Sequence, residues 1–277
     1  MARTGEHASA GNGSGLIELA GVGKTFHPGT PEAVEALASL DLRIHRHEFV
    51  SIVGRSGCGK STLLRLIAGL VRPTHGTIRI DSRPVAGPRR DISLLFQRPA
   101  LFPWRTVIDN VLFPIEILGH DRGAYRERAR ELLDLVGLDG FSERRPKELS
   151  GGMQQRAALC RALIHDPDIL LMDEPFAALD ALTREELSAE LQRLWTETRK
   201  TIVFVTHSIP EAVTLSDRVI TMTPRPGRIA STLRIDAARP RTDAMRELEP
   251  HKESVRRDLF GEGPAAERAH TGGGGDE

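Results

Sequence analysis

The sequence predicts an α/β fold in which helices cover both faces of a parallel sheet. Four apolar runs are short, rich in Val, Ile and Leu, and lack polar alternation, as strands buried on both faces do; they read FVSIVG, ISLLFQ, ILLMDE and TIVFVTH. Helical patterns separate these runs, at residues 60–68, 125–136, 152–164 and 182–198. This succession of buried strands and helices is typical of α/β proteins.

Two smaller units are expected around this core. Residues 16–44 contain alternating runs separated by HPGTPE, whose prolines favour turns, so they predict antiparallel strands. Residues 98–150 lack the buried-strand pattern and favour helices. We therefore expect a helical subdomain inserted into a domain of residues 15–237.

The ends of the chain differ in composition from this domain. Residues 1–14 and 263–277 are rich in glycine and in small or polar residues, and they predict flexible tails. Residues 238–262 form a C-terminal extension that contains MRELEPHKESVRRDLF. This stretch fits either a short amphipathic helix packed on the core or a regulatory tail.

Composition and charge exclude several classes of protein. Of the 277 residues, 39% are hydrophobic and 27% are charged, as in ordinary globular domains. The 38 Lys and Arg residues balance 38 Asp and Glu residues, so no nucleic-acid partner is expected. The only cysteines, Cys58 and Cys160, are too few for a disulfide framework and fit a reducing cytosol. No apolar run approaches the roughly 18 residues that span a bilayer, so we expect a chain that stays inside the cell.

The sequence GRSGCGKS has the spacing of a phosphate-binding loop. Four residues separate Gly54 from Gly59, and Lys60 and Ser61 follow directly. The loop lies between a strand pattern and a helix pattern, so backbone N–H groups and the positive end of the helix would face a phosphate. Cys58 within the loop is read as a small packing residue, with thiol-sensitive activity as the alternative.

A second glycine-lysine-threonine run, GVGKTF, fails the same test. The position of the required first glycine is occupied by Glu18, whose carboxylate would repel phosphate. The following HPGTP cannot begin a helix, so the positive helix end is missing as well. We reject this run as a phosphate site.

Two carboxylates end the strand pattern ILLMDE. Ligands of open α/β sheets bind at the carboxyl edge of the strands, where Asp173 and Glu174 would lie. Asp173 could hold Mg²⁺ and Glu174 could polarise an attacking water. Without a neighbouring phosphate loop, the pair could simply cap the next turn.

The sequence LSGGMQQR predicts a second helix whose N-terminus could face a ligand. Ser150 is suited to the N-cap, and Gly151 and Gly152 allow a close backbone approach. One nucleotide rarely needs two such helix ends, unless the second serves a nucleotide held by another copy of the chain.

Together these motifs resemble the ATPase subunit of ATP-binding cassette (ABC) transporters over about residues 16–235. The resemblance implies a P-loop NTPase core with an antiparallel β subdomain and an inserted helical subdomain. It also implies a homodimer that closes head to tail around two ATP molecules. Each ATP would be bound by the phosphate loop of one subunit and by the signature helix of the other, the helix that begins in LSGGMQQR.

The resemblance also implies individual roles. Lys60, Gln97, Glu174 and His207 would be catalytic, with His207 contacting the γ-phosphate, and Ser61, Gln97 and Asp173 would surround Mg²⁺. Phe26, the last residue of GVGKTF, would stack on adenine, with core packing as its alternative. The implied nucleotide-binding positions are Phe26, Gly54, Arg55, Ser56, Gly57, Cys58, Gly59, Lys60, Ser61, Thr62, Ser150, Gly151, Gly152 and Asp180.

The chain would power a separate membrane permease from the cytoplasmic face of the cell membrane. RPALFPWRTVIDNV offers Phe102, Trp104 and Val107 to such a partner, with local core packing as the alternative. This stretch and TPRPGRI resemble the nitrate, sulfonate and taurine importers of the family, which work with a periplasmic or extracellular solute-binding protein. A soluble ABC-type ATPase of DNA repair or translation is the rival hypothesis, and a regulator that does not hydrolyse ATP is opposed by Glu174.

Overall fold

A computed structural model describes residues 15–177 and 179–261 of the chain. The tails expected at residues 1–14 and 263–277 lie outside these ranges. The described strands are β1 (Ile17–Phe26), β2 (Val34–Ile44), β3 (Phe49–Gly54), β4 (His75–Ile80), β5 (Arg83–Pro84), β6 (Ile92–Leu95), β7 (Ile169–Asp173), β8 (Thr201–Thr206), β9 (Arg218–Met222) and β10 (Ile229–Arg234). The described α-helices are α1 (Lys60–Ile67), α2 (Val107–Leu118), α3 (Arg122–Leu135), α4 (Gly151–Leu163), α5 (Ala181–Thr198), α6 (Ile209–Leu215) and α7 (Glu249–Phe260).

The larger sheet confirms the α/β prediction. Its strand order is β10-β9-β3-β8-β7-β6, and all neighbouring strands are parallel except the β9–β10 hairpin. The parallel strands therefore end at one edge, where their following loops meet. The sequence did not predict β9 and β10.

A second, antiparallel sheet has the order β2-β1-β4-β5. It confirms the strands expected in residues 16–44, and it adds β4 and β5, which the sequence did not predict. Apolar side chains of this sheet, of α1 and of one face of the parallel sheet form a common core that includes Val22, Leu37, Ile52 and Leu171. Their packing holds the antiparallel sheet beside the phosphate loop.

The region between β6 and α4 is helical, as the sequence predicted. It contains α2 and α3, and both helices contact α4. Buried side chains such as Ile108 and Leu133 join the core on the other face of the parallel sheet. The boundaries of this subdomain, at residues 98 and 150, stay a prediction.

The C-terminal extension folds onto the core rather than leaving it. Leu248 and Val255 of this segment are fully buried against α6 and β9. The buried Arg241 guanidinium donates to four main-chain carbonyls, among them Ser216 O at 2.6 Å, and Gln192 Oε1 accepts from Arg241 N at 2.8 Å. The packed-helix alternative is therefore confirmed. No described helix is both long and apolar enough to cross a bilayer.

Candidate functional site

The loops that follow β3, β6, β7 and β8 bring most of the predicted catalytic residues together. They carry the phosphate loop, Gln97, Glu174 and His207 respectively. Parallel pairing places the ends of these strands side by side, and so residues far apart in sequence become neighbours.

The phosphate loop turns directly into α1. Gly59, the residue before the helix, has a φ of 96°, and a Cβ there would lie 2.5 Å from a Leu37 methyl carbon, so only glycine fits. The Lys60 ammonium is buried and donates to Gly54 O at 2.8 Å. Burial raises the pKa of the Cys58 thiol, which favours the packing interpretation of this cysteine over a reactive one.

A hydroxyl and a carboxylate meet beside this loop. Ser61 Oγ donates to Asp173 Oδ1 at 2.8 Å. Burial raises the pKa of the Asp173 carboxyl, while the Ser61 hydrogen bond opposes the shift. Mg²⁺ in nucleotide sites is bound by one or two protein oxygens, with phosphate oxygens and water as the other ligands. Ser61 and Asp173 supply such a pair, and so the residues present fit this ion.

Glu174 lies at the centre of the polar cluster. Its φ is +47°, a conformation that is strained for a residue with a side chain and that recurs at functional sites. Gln97 Nε2 donates to Glu174 Oε2 at 3.1 Å, His207 Nδ1 lies 3.4 Å from the same oxygen, and Lys60 Nζ lies 3.9 Å from Oε1. The left-handed turn therefore places the Glu174 carboxylate next to Lys60, Gln97 and His207. Each of these three side chains could also contact a phosphate group or a water molecule.

The His207 ring is 63% exposed, so it is accessible to a ligand. Its neighbour Thr206 is anchored, because the Thr206 hydroxyl donates to Glu211 Oε2 at 2.6 Å. Glu211 also lies 3.4 Å from the Arg184 guanidinium on α5, and Arg184 donates to Leu179 O. Sequence reasoning missed this connection between the start of α5 and the segment of His207, because neither residue belongs to a recognisable motif.

The pocket beside the phosphate loop also contains Phe26. This partly exposed ring lines the same wall as Gly57, Lys60 and Thr62. Lys24 does not reach the pocket wall; its ammonium donates to Arg72 O at 2.9 Å. The run GVGKTF lies within β1 with no helix after it, as the rejection of a phosphate site required.

The signature residues do not line this pocket. Ser150 caps α4 as predicted, since its hydroxyl accepts from Met153 N at 3.3 Å, and Ser150 and Gly151 are exposed. Asp180 caps α5 in the same way, accepting from Thr183 N at 3.0 Å. Ala178, two residues before Asp180, lies outside the described residues. These exposed helix ends are therefore not part of the pocket wall of their own chain.

The candidate partner surface is only partly as expected. Val107 is fully buried in the core, so its interpretation as a contact residue is wrong: it is the first residue of α2 and faces the helical subdomain. Trp104 is 69% exposed, and its ring centroid lies 5.3 Å from that of Phe102. On this loop, Trp104 therefore remains as an exposed candidate contact for a partner, and the Phe102 ring supports it.

Comparisons with known proteins agree with this geometry. Residues 37–177 match the family described as ABC transporter. The ABC transporter ATP-binding protein MJ0412 of Methanocaldococcus jannaschii is 48% identical over 222 residues, which cover 80% of this chain and 83% of that protein. The taurine import ATP-binding protein TauB of Jannaschia sp. is 46% identical over 232 residues, or 83% and 87% of the two chains.

Solved structures give the same result. The ATP-binding cassette MJ0796, in a dimeric post-hydrolysis state bound to ADP and Pi, superposes with a TM-score of 0.73 at 36% identity. The superposition covers 80% of this chain and 100% of the cassette. With its phosphate loop, paired carboxylates and signature helix on one such scaffold, the chain belongs to the ABC transporter family and is an ATP-binding cassette ATPase.

Proposed function

We propose that this chain is the ATP-hydrolysing subunit of an importer that takes up a small anion or zwitterion, such as taurine, another sulfonate or nitrate. The observation that carries the proposal is the Glu174 carboxylate, held among Lys60, Gln97 and His207 next to a phosphate loop. Relatives that are named as taurine import proteins support the direction of transport and the class of solute.

Nucleotide binding follows from the loop and from α1. Main-chain N–H groups of residues 56–62 and the positive end of α1 would surround the β-phosphate. The Lys60 ammonium would exchange its bond to Gly54 O for phosphate oxygens. Ser61 and Asp173 would hold Mg²⁺, which neutralises the charge of the phosphates when it is bound.

Hydrolysis needs a water aligned with the γ-phosphate. Glu174 would accept a hydrogen bond from this water and take its proton as the oxygen attacks phosphorus, a contribution typically of about 10²- to 10⁴-fold. Gln97 is bonded to the same carboxylate oxygen that His207 Nδ1 approaches to 3.4 Å, and the two side chains would orient the water and contact the γ-phosphate.

We also propose that the complete site forms between two copies of the chain. Ser150 and Gly151 are exposed and lie outside the pocket of their own chain, at a helix end suited to an anion. In a head-to-tail homodimer they would face the γ-phosphate bound by the other copy. A dimeric solved cassette supports this arrangement.

Coupling to transport would use the loop that follows Gln97. Its exposed Trp104 offers an apolar contact to a short helix of a membrane permease. Gln97 is bonded to Glu174, so a shift of this loop would move a partner of the catalytic carboxylate. Movement of the loop and the binding and hydrolysis of ATP would therefore be linked equilibria. The subunit would then act at the cytoplasmic face of the membrane, with a solute-binding protein on the opposite side.

Co-purification tests the importer assignment. We expect the chain, isolated from native membranes in mild detergent, to retain a multi-span permease, and Trp104→Ala to lose this partner while ATP hydrolysis by the isolated subunit stays within about twofold. Energy-dependent uptake of labelled taurine or nitrate should require the permease. Recovery of ribosomes or DNA instead of a membrane protein would contradict the proposal.

Phe26→Ala is expected to weaken ATP binding without affecting folding. Stacking of a base on an aromatic ring is worth roughly 1–3 kcal/mol, or about fivefold to 150-fold in Kd. Titration calorimetry with ATP measures the change, and Phe26→Tyr should restore most of it. Phe260→Ala, at an exposed ring far along the chain on α7, is the matched control. Unchanged affinity in Phe26→Ala would remove this residue from the site.

A further inference from the structure

The turn between β9 and β10, residues 223–228, is a closed hairpin tip. Thr223 N donates to Arg228 O at 2.9 Å, and Arg228 N donates to Thr223 Oγ1 at 3.0 Å. The tip follows β9, the neighbour of β3 in the parallel sheet, so it emerges beside the phosphate loop at the same edge.

The main chain of the hairpin tip is bonded to β2 and lies against the phosphate loop. Gly227 N donates to Ala36 O at 3.0 Å, and Ala38 N donates to Gly227 O at 3.1 Å. Gly227 lies so close to the phosphate loop that a Cβ there would come within 2.1 Å of Cys58 O. This contact fixes the position of the preceding residues, including Arg225, without the help of their side chains.

Arg225 is presented to the nucleotide pocket by this tip. Its side chain lines the same wall as Phe26, Gly57 and Lys60, and a Cβ placed on Gly57 would lie 3.7 Å from Arg225 Nη2. Glu174 is the acidic residue of this wall, and it lies near Lys60 and His207 rather than pairing with Arg225. The wall therefore offers two cations, of which Lys60 is engaged by main-chain carbonyls and Arg225 is exposed.

We propose that Arg225 is a further nucleotide-binding residue, and that its guanidinium contacts the phosphate chain of the bound nucleotide from the Gly57 side of the pocket. The proposal rests on the proposed function, in which this pocket holds ATP. A guanidinium suits this role because its planar donors pair two phosphate oxygens at once and remain charged at any physiological pH.

The same tip supplies a control. Arg228 has the same charge, lies three residues further along the chain, is exposed, and is not part of the pocket wall. A general effect of positive charge on the tip would affect both arginines alike, whereas a direct contact affects Arg225 alone.

The test measures equilibrium binding of ATP to purified chain by titration calorimetry. We expect Arg225→Ala to raise the Kd for ATP about tenfold, Arg225→Lys to fall between this variant and the wild type, and Arg228→Ala to stay within about twofold. Displacement of a fluorescent ATP analogue by pyrophosphate, which has neither base nor sugar, should weaken by a similar factor in Arg225→Ala. Thermal unfolding of the nucleotide-free variants checks that the fold is unchanged.

Each other outcome has a distinct meaning. An unchanged Kd in Arg225→Ala, or an equal loss in Arg228→Ala, would overturn the proposal. Weaker ATP binding with unchanged displacement by pyrophosphate would place the contact at the ribose or base and would also overturn it. Failure of the wild-type chain to bind ATP would instead contradict the proposed function, and Lys60→Ala provides the reference for a chain that has lost the phosphate site.

Discussion

Replacing Glu174 by Gln is expected to slow ATP hydrolysis by at least about a hundredfold while ATP binding persists. The amide has nearly the shape of the carboxylate and can still contact Gln97 and His207. It cannot take a proton from the attacking water. It also removes a negative charge close to the position of the γ-phosphate, so binding should not weaken.

The same variant should accumulate as an ATP-bound dimer, because closure would no longer be followed by hydrolysis. Phosphate release measures kcat, and size-exclusion chromatography with and without ATP measures the dimer. Glu253→Gln, which neutralises an exposed carboxylate on α7, is the matched control and should hydrolyse ATP normally. Normal turnover in Glu174→Gln would show that another group activates the water.

The part of the site that could be predicted from sequence is the part built by local geometry. Gly59, Lys60 and Ser61 act through consecutive main-chain positions at a helix start, and so their spacing alone is informative. Asp173 and Glu174 end an apolar run whose length and composition predicted a buried strand, and parallel pairing then places them next to the loop.

What the sequence did not predict depends on contacts between distant segments. Arg225 follows β9, a strand that the sequence did not predict, and it reaches the pocket only because Gly227 pairs with β2. Arg184 and Glu211 meet across two helices without a motif. Val107 was misinterpreted because an apolar residue at a helix start can face either the core or a partner. The tertiary fold decides between these two positions.

A mixture of two inactive variants is expected to recover ATP hydrolysis if each site is shared between two copies of the chain. Lys60→Ala removes the phosphate-binding ammonium of one copy. Gly151→Asp places a carboxylate at the exposed start of α4, where a Cβ meets no other atom within 4 Å. The new side chain fits its own subunit, and near the positive end of a helix it is not destabilising. It would repel only the γ-phosphate held by the other copy.

Each variant alone has no complete site, and we expect at least about a hundredfold loss of activity in both. A dimer with one copy of each variant combines the intact phosphate loop of the Gly151→Asp chain with the intact signature helix of the Lys60→Ala chain. An equal mixture should therefore reach up to about a quarter of the wild-type rate, since half of the dimers are mixed and each has one complete site.

The control mixes Lys60→Ala with a chain that carries both substitutions, so that the same changes are present but no complete site can form. Differently tagged chains show by pull-down that mixed dimers are present in both samples. Recovery in the first mixture alone would mean that Ser150 and Gly151 act on the nucleotide of the other copy, which explains why they are exposed and do not line the pocket of their own chain. If mixed dimers form and remain inactive, each chain hydrolyses ATP within its own pocket, and the signature helix has another role.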